Sequence, residues 1–168
     1  MIKKIIYKKF IQPKDSYFRA GAGVIVLNHK NELAMFERTN QPGAFQFSQG
    51  GLDVGEDPRA GAMRELYEET GITEEDCTFV AELSGWHSYL YPEMSVVGKS
   101  FRGQTHKWFV VRINSDHKID LDNAPDHEFV SYKWVDQNKV LDEIIEFKKD
   151  MYIKLIDNVQ TILDHEKV

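Results

Sequence analysis

The chain has 168 residues, 27 acidic against 21 basic side chains, a net charge of -6 and 42% hydrophobic residues, enough to bury a core without disulfides or a structural metal. The lone Cys77 cannot form an internal disulfide and points to the cytoplasm. No signal-peptide run follows the basic N-terminus, no later stretch is apolar enough to span a bilayer, and the acidic balance argues against holding nucleic acid by bulk phosphate neutralisation, so DNA and membranes are not expected partners.

Lys3, Lys4, Lys8 and Lys9 read as a solvated strand face in preference to an RNA path. Residues 21–28 and 32–38 are apolar, β-branched-rich runs separated by His29-Lys30-Asn31, the pattern of a hairpin. A short strand is expected at 45–47. Asp57 supplies an N-cap, Pro58 a first helical residue and Gly71 a left-handed C-terminal residue, which with Ala62, Met63 and Leu66 as an apolar stripe predicts a helix over Pro58–Thr70. Further strands are expected at 78–83, 108–114 and 129–135. Apolar residues at helical spacing predict a second helix over 138–163, its start and a break near Asp150 left open. With no internal repeat or linker, the chain reads as one domain over residues 1–168, with a core at 18–163. Strands interleaved with two helices, without regular βαβα alternation, predict an α/β (α+β) sandwich with a mixed sheet.

The chemistry concentrates between Gly50 and Ile72. Glu65, Glu68 and Glu69 stand at i, i+3 and i+4, so on a helix their Cβ atoms come within about 5–6 Å. Such a face is most often solvated, and Arg64 offers Glu68 an ordinary i+4 partner. Three converging carboxylates also repel, and a cation is the simplest compensation. Hard oxygen donors select Mg²⁺, with Mn²⁺ as the alternative, and Mg²⁺ takes one or two carboxylates together with waters and substrate phosphates.

Gly50, Glu56, Arg64, Glu65, Glu68, Glu69 and Gly71 fill every fixed position of a pattern that resembles the Nudix box, residues 50–72. The resemblance implies a Nudix hydrolase: an α/β/α sandwich with a loop-helix-loop, cleaving a nucleoside diphosphate linked to another moiety with divalent metal. It implies Glu65, Glu68 and Glu69 as metal ligands or base, and a main-chain carbonyl at Gln49 or Gly50 aimed at the metal. Glu56 and Arg64 are implied as a buried ion pair bracing loop against helix.

Outside the box, Phe18-Arg19-Ala20-Gly21-Ala22-Gly23, Phe45-Gln46-Phe47-Ser48-Gln49, Gly103-Gln104-Thr105-His106-Lys107-Trp108 and Phe147-Lys148-Lys149-Asp150-Met151-Tyr152 are similar to the bacterial RNA 5′-pyrophosphohydrolases and plant-type dinucleoside polyphosphate hydrolases. Carried over, Arg19 and Lys107 would contact phosphates, Glu128 would complete the metal shell, Phe147 would stack on a nucleobase and Lys148 would lie near its phosphate. Surface charges at Arg19, Lys107 and Glu128 and a plain core role for Phe147 are the competing accounts. Tyr89 and Tyr91 stand where both branches carry a tyrosine. The family usually has Trp and Pro where this chain has Phe45 and Ser48, and this chain adds residues around 40–44 and 86–99, which bear on substrate choice. The implied activity is removal of pyrophosphate from the 5′ end of triphosphorylated RNA. The alternative is hydrolysis of dinucleoside polyphosphates or another nucleoside-diphosphate compound. An RNA 5′ end or a nucleotide polyphosphate is thus the expected partner, and the oligomeric state stays open.

Overall fold

The longest apolar run becomes the middle of a sheet. In β2 (Tyr17–Leu27) Ala22, Val24 and Val26 face one layer while Ile25 and Leu27 face the other, and all are buried. A strand apolar on both faces needs cover on both. It pairs in parallel with β8 (Gly103–Ile113), from Phe18 opposite Gly103 to Leu27 opposite Arg112. Around them stand β3 (Leu33–Arg38), β4 (Phe45–Gln46) and β6 (Cys77–Glu82), in the order β4-β3-β2-β8-β6. Also attached are β1 (Lys4–Ile6) parallel and β5 (Ser48–Gly51) antiparallel to β2, β7 (His87–Leu90) antiparallel to β8, and β9 (Phe129–Val135) antiparallel to β3. This computed structural model describes residues 4–6, 17–92 and 101–167; Lys3, Lys8, Lys9 and the added segment 93–99 lie outside them. Among the described residues, no helix is long and apolar enough to cross a membrane.

One face of the mixed sheet is covered by α1 (Pro58–Thr70), whose Ala62 and Leu66 meet Val24, Phe36, Phe109 and Val111. The other is covered by α3 (Lys149–Glu166), whose Tyr152, Leu155 and Val159 meet Ile25, Met35, Phe47 and Trp108. Each fully buried leucine here contributes about 2–5 kcal/mol, judged by truncation to alanine. The boundaries of α1 fall where the sequence puts them. Asp57 accepts the Ala60 N–H at 3.0 Å, and Gly71 takes φ 76° while its N–H donates to the Tyr67 carbonyl.

Several expectations change. The strand expected from residue 21 begins at Tyr17, four residues earlier, because Phe18 and Arg19 extend the parallel ladder to Gly103 and Gln104. For the same reason β8 starts at Gly103 and not at Trp108. Of the strand expected at 45–47 only Phe45–Gln46 forms, as β4 paired with β3, and a separate unexpected strand, β5, begins at Ser48 and pairs with β2. The helix expected over 138–163 is broken: α2 (Val140–Glu143) ends at Ile144 (φ -89°, ψ 136°), and Ile145 is also extended. A single turn at Glu146–Lys148 then leads into α3. β-branched Ile144 and Ile145 lose little by leaving the helix, and Ile144 stays buried in the core.

Candidate active site

The box builds a carboxylate wall held by one arginine. Arg64 Nε and Nη2 donate to Glu56 Oε1 and Oε2 at 2.8 and 3.0 Å, Nη2 also to the Gly51 carbonyl at 3.0 Å, and Nη1 to Glu65 Oε1 at 2.9 Å and Glu68 Oε2 at 3.0 Å. Glu56 in turn accepts the Asp53 N–H, which closes the loop before α1. The Glu56–Arg64 pair is therefore half-buried, and it ties loop, strand end and helix together. The bond from Arg64 holds the Glu56 carboxyl below its ordinary range, and Glu56 holds the guanidinium proton more firmly.

Behind this wall the environment dries. Burial pushes the Glu65 carboxyl up against the pull of Arg64, and pushes that of Glu69 up much further despite the hydroxyl of Ser48 beside it. Glu69 is 1% exposed; its Oε2 accepts from Ser48 Oγ at 2.7 Å and from the Gln49 N–H at 3.1 Å. A Cβ at position 50 would overlap the Glu65 carboxylate, so Gly50 is what lets β5 and α1 close on each other. Glu65, Glu68 and Glu69 line a cleft of about 530 Å³ with Gly50, Glu128, Arg19 and Arg38. Glu128 reaches it from the loop before β9, which is fastened to α1 where the Asp126 N–H donates to the Glu68 carbonyl at 2.9 Å.

Arg19 enters the cleft from β2, its Nε buried and without a hydrogen-bond partner among the described residues. Lys107 is not brought in: it pairs with Glu82 at 2.9 Å. Phe147 and Lys148 sit in a neighbouring pocket of about 270 Å³ with Tyr89, Phe45 and Gln46. Phe147 and Tyr89 have ring centroids 5.6 Å apart, and Lys148 Nζ lies 5.1 Å from the Tyr89 ring. Phe147 also packs on the core, as its plain core account expects. Lys148 donates to Gln46 Oε1 at 3.3 Å, and burial, with Arg38 nearby, lowers its ammonium to about 8. Tyr91 meets Tyr89 edge-on and its hydroxyl accepts from Gln104 Nε2.

Beneath both cavities His106 is fully buried between Tyr89 and Trp108; burial, with Lys148 and Arg19 adding, pushes its ring down to about 3. Cys77 is partly buried, and burial, with Asp76 and Glu74 nearby, raises its thiol to about 11. Arg38 carries no sequence signal of its own, and Ser48 is marked only as a departure from the family's proline. Arg38 lines both cavities and pairs with Glu128 at 2.9 Å, and the Ser48 hydroxyl meets Glu69.

The cleft offers only oxygen donors, which suits a hard divalent cation. Among the described residues, no three acidic, histidine or cysteine side chains are placed so that they alone could hold a metal ion.

The sequence matches the NUDIX domain over residues 17–155. It is 39% identical over 158 residues to an RNA pyrophosphohydrolase of Gluconobacter oxydans, covering 89% of this chain and 90% of that one. It is 34% identical over 157 residues to Nudix hydrolase 25 of Arabidopsis thaliana, covering 88% and 89%. Two solved structures share the fold at low identity. The E. coli dihydroneopterin triphosphate pyrophosphohydrolase has a TM-score of 0.66 at 18% identity, over 84% of this chain and 98% of that one. A C. elegans Ap4A hydrolase has a TM-score of 0.61 at 19% identity, over 88% and 98%.

Proposed function

The chain belongs to the NUDIX family, and from that premise we propose that it is a cytoplasmic, Mg²⁺-dependent pyrophosphohydrolase that acts on the 5′ end of triphosphorylated RNA. The observation that carries the reading is adjacency: Arg38 lines both the carboxylate cleft and the aromatic pocket. A polyphosphate in the first cavity would continue into a nucleotide in the second. The Gluconobacter oxydans relative is named an RNA pyrophosphohydrolase, and a 5′-triphosphorylated RNA joins a polyphosphate to a base that can stack.

Glu65, Glu68, Glu69 and Glu128 would hold the cation, as oxygen donors around one cleft. When bound, the metal offsets polyphosphate charge and lowers the pKa of a water. Arg19 and Arg38 supply the cationic contacts that orient phosphates in an otherwise acidic site. A box glutamate takes the proton of the attacking water. The water oxygen bonds to phosphorus, the phosphoanhydride breaks, and pyrophosphate, or phosphate stepwise, leaves a 5′-monophosphate. Phe147 and Tyr89 hold the base, with Lys148 beside them.

The test is competition. Purified protein with Mg²⁺ receives equal amounts of 5′-triphosphorylated RNA and diadenosine tetraphosphate, beside a Glu68→Gln, Glu69→Gln control. Preferential conversion of the RNA to its 5′-monophosphate, absent in the control, is the expected result. Preference for the dinucleotide would instead make the protein a dinucleoside polyphosphate hydrolase, and silence on both would assign the cleft to another nucleoside-diphosphate compound.

A further inference from the structure

Ser48 stands at 0% exposure between two anchored neighbours. On one side the Phe47 N–H donates to Tyr152 Oη at 3.0 Å, which fixes the strand to α3. On the other Gln49 lies opposite Gly23 in the ladder with β2, and Ser48 itself lies opposite Val24. With the backbone held on both sides, the freedom left at this position is the χ1 rotation of one hydroxyl. That hydroxyl donates to Glu69 Oε2 at 2.7 Å, and the Gln49 N–H donates to the same oxygen at 3.1 Å. Among the described residues Oε1 of Glu69 takes no hydrogen bond, and Glu69 lines the cleft. A buried carboxylate anchored through one oxygen has the other left for a cation.

We propose that Ser48 is a positioning residue for the metal site: its hydroxyl fixes the Glu69 carboxylate through Oε2 and leaves Oε1 as the oxygen presented to a divalent cation. The inference deepens the metallohydrolase reading and rests on it. It also gives this chain its own solution at a position where the family usually carries proline, which has no hydroxyl. Proline's rigidity is replaced by an explicit bond from the first residue of β5 to α1. Outer-shell partners of this kind change metal affinity by about 10- to 100-fold when removed.

The experiment measures Mn²⁺ binding by electron paramagnetic resonance on substrate-free protein at one fixed pH, for wild type, Ser48→Ala and Ser48→Thr, with melting in EDTA as the fold control. Ser48→Ala removes only the hydroxyl and is expected to weaken Mn²⁺ binding about 10-fold or more while melting near the wild-type temperature; Ser48→Thr, which keeps the hydroxyl, should bind within about twofold. The proposal is overturned if Ser48→Ala binds like wild type, or if both variants lose affinity alike, which would assign the effect to packing. Wild-type protein that neither binds Mn²⁺ nor hydrolyses either substrate would overturn the metallohydrolase reading instead, a separate outcome.

Discussion

Arg38 Nη1 lies 2.9 Å from Glu128 Oε1, so the end of β3 and the loop before β9 are joined at the boundary between the carboxylate cleft and the aromatic pocket. The pair is partly exposed, so its own contribution to stability is small. Its importance lies in what each partner faces. On the proposed reading, the guanidinium would meet the substrate phosphate and the carboxylate would face the cation.

Arg38→Ala is therefore expected to raise KM about 10-fold, the loss of one charge-assisted contact, while kcat changes by less than about threefold. Steady-state kinetics with triphosphorylated RNA check this. An equal fall in kcat and kcat/KM would move Arg38 from binding into transition-state stabilisation.

Arg64→Ala leaves the carboxylates of Glu56, Glu65 and Glu68 facing one another without their shared cation. Unfolding free energy should drop by about 2 kcal/mol, after discounting for a guanidinium that is partly solvated. Urea denaturation in EDTA measures it. Arg64→Lys should restore little, because a point charge cannot reproduce the two-pronged grip on Glu56.

Phe147→Ala should weaken RNA binding by about 1–3 kcal/mol, the range for stacking a base on an aromatic ring. Phe147 also touches the core, so the substitution will lower stability as well. Comparison with Phe147→Leu separates the two, since leucine refills the core without offering a ring; an RNA KM unchanged in both would remove the base from this pocket.

His106 supplies a pH signature. The folded ring stays neutral down to about 3, whereas in the unfolded chain it takes up a proton near 6.5. Between those values the unfolded state binds more protons, so the stability associated with His106 is complete above about 6.5 and is lost as pH falls toward 3. Urea midpoints from pH 7 to pH 4 should fall more steeply for wild type than for His106→Gln. The raised carboxyls of Glu65 and Glu69 act in the opposite sense but are common to both proteins, so they cancel in the difference.

What could be read from the sequence was what short-range chemistry determines. Asp57, Pro58 and Gly71 act on their own turns, so α1 is delimited to the residue, and the spacing of Glu65, Glu68 and Glu69 becomes proximity through helix geometry alone. Ile144 and Ile145 illustrate the opposite case: their periodicity suits a helix and their branching suits an extended chain, and tertiary packing chose the second. Lys107 and Arg19 look alike as cations beside strands. Only the sheet decides that Arg19 opens on the cleft while Lys107 meets Glu82. Arg38 had no motif, because its role arises where β3 meets a loop some ninety residues later in the chain, at Glu128.

The hydrogen bond from the Phe47 N–H to Tyr152 has a consequence for biosynthesis. A growing polypeptide exposes every box residue long before Tyr152 is made, and until then the strand beside Ser48 has no buried acceptor for that amide. That amide gains its partner only when α3 is in place against the sheet. A chain cut short after Lys148 would keep every box residue and lose the hydroxyl that holds the backbone beside Ser48.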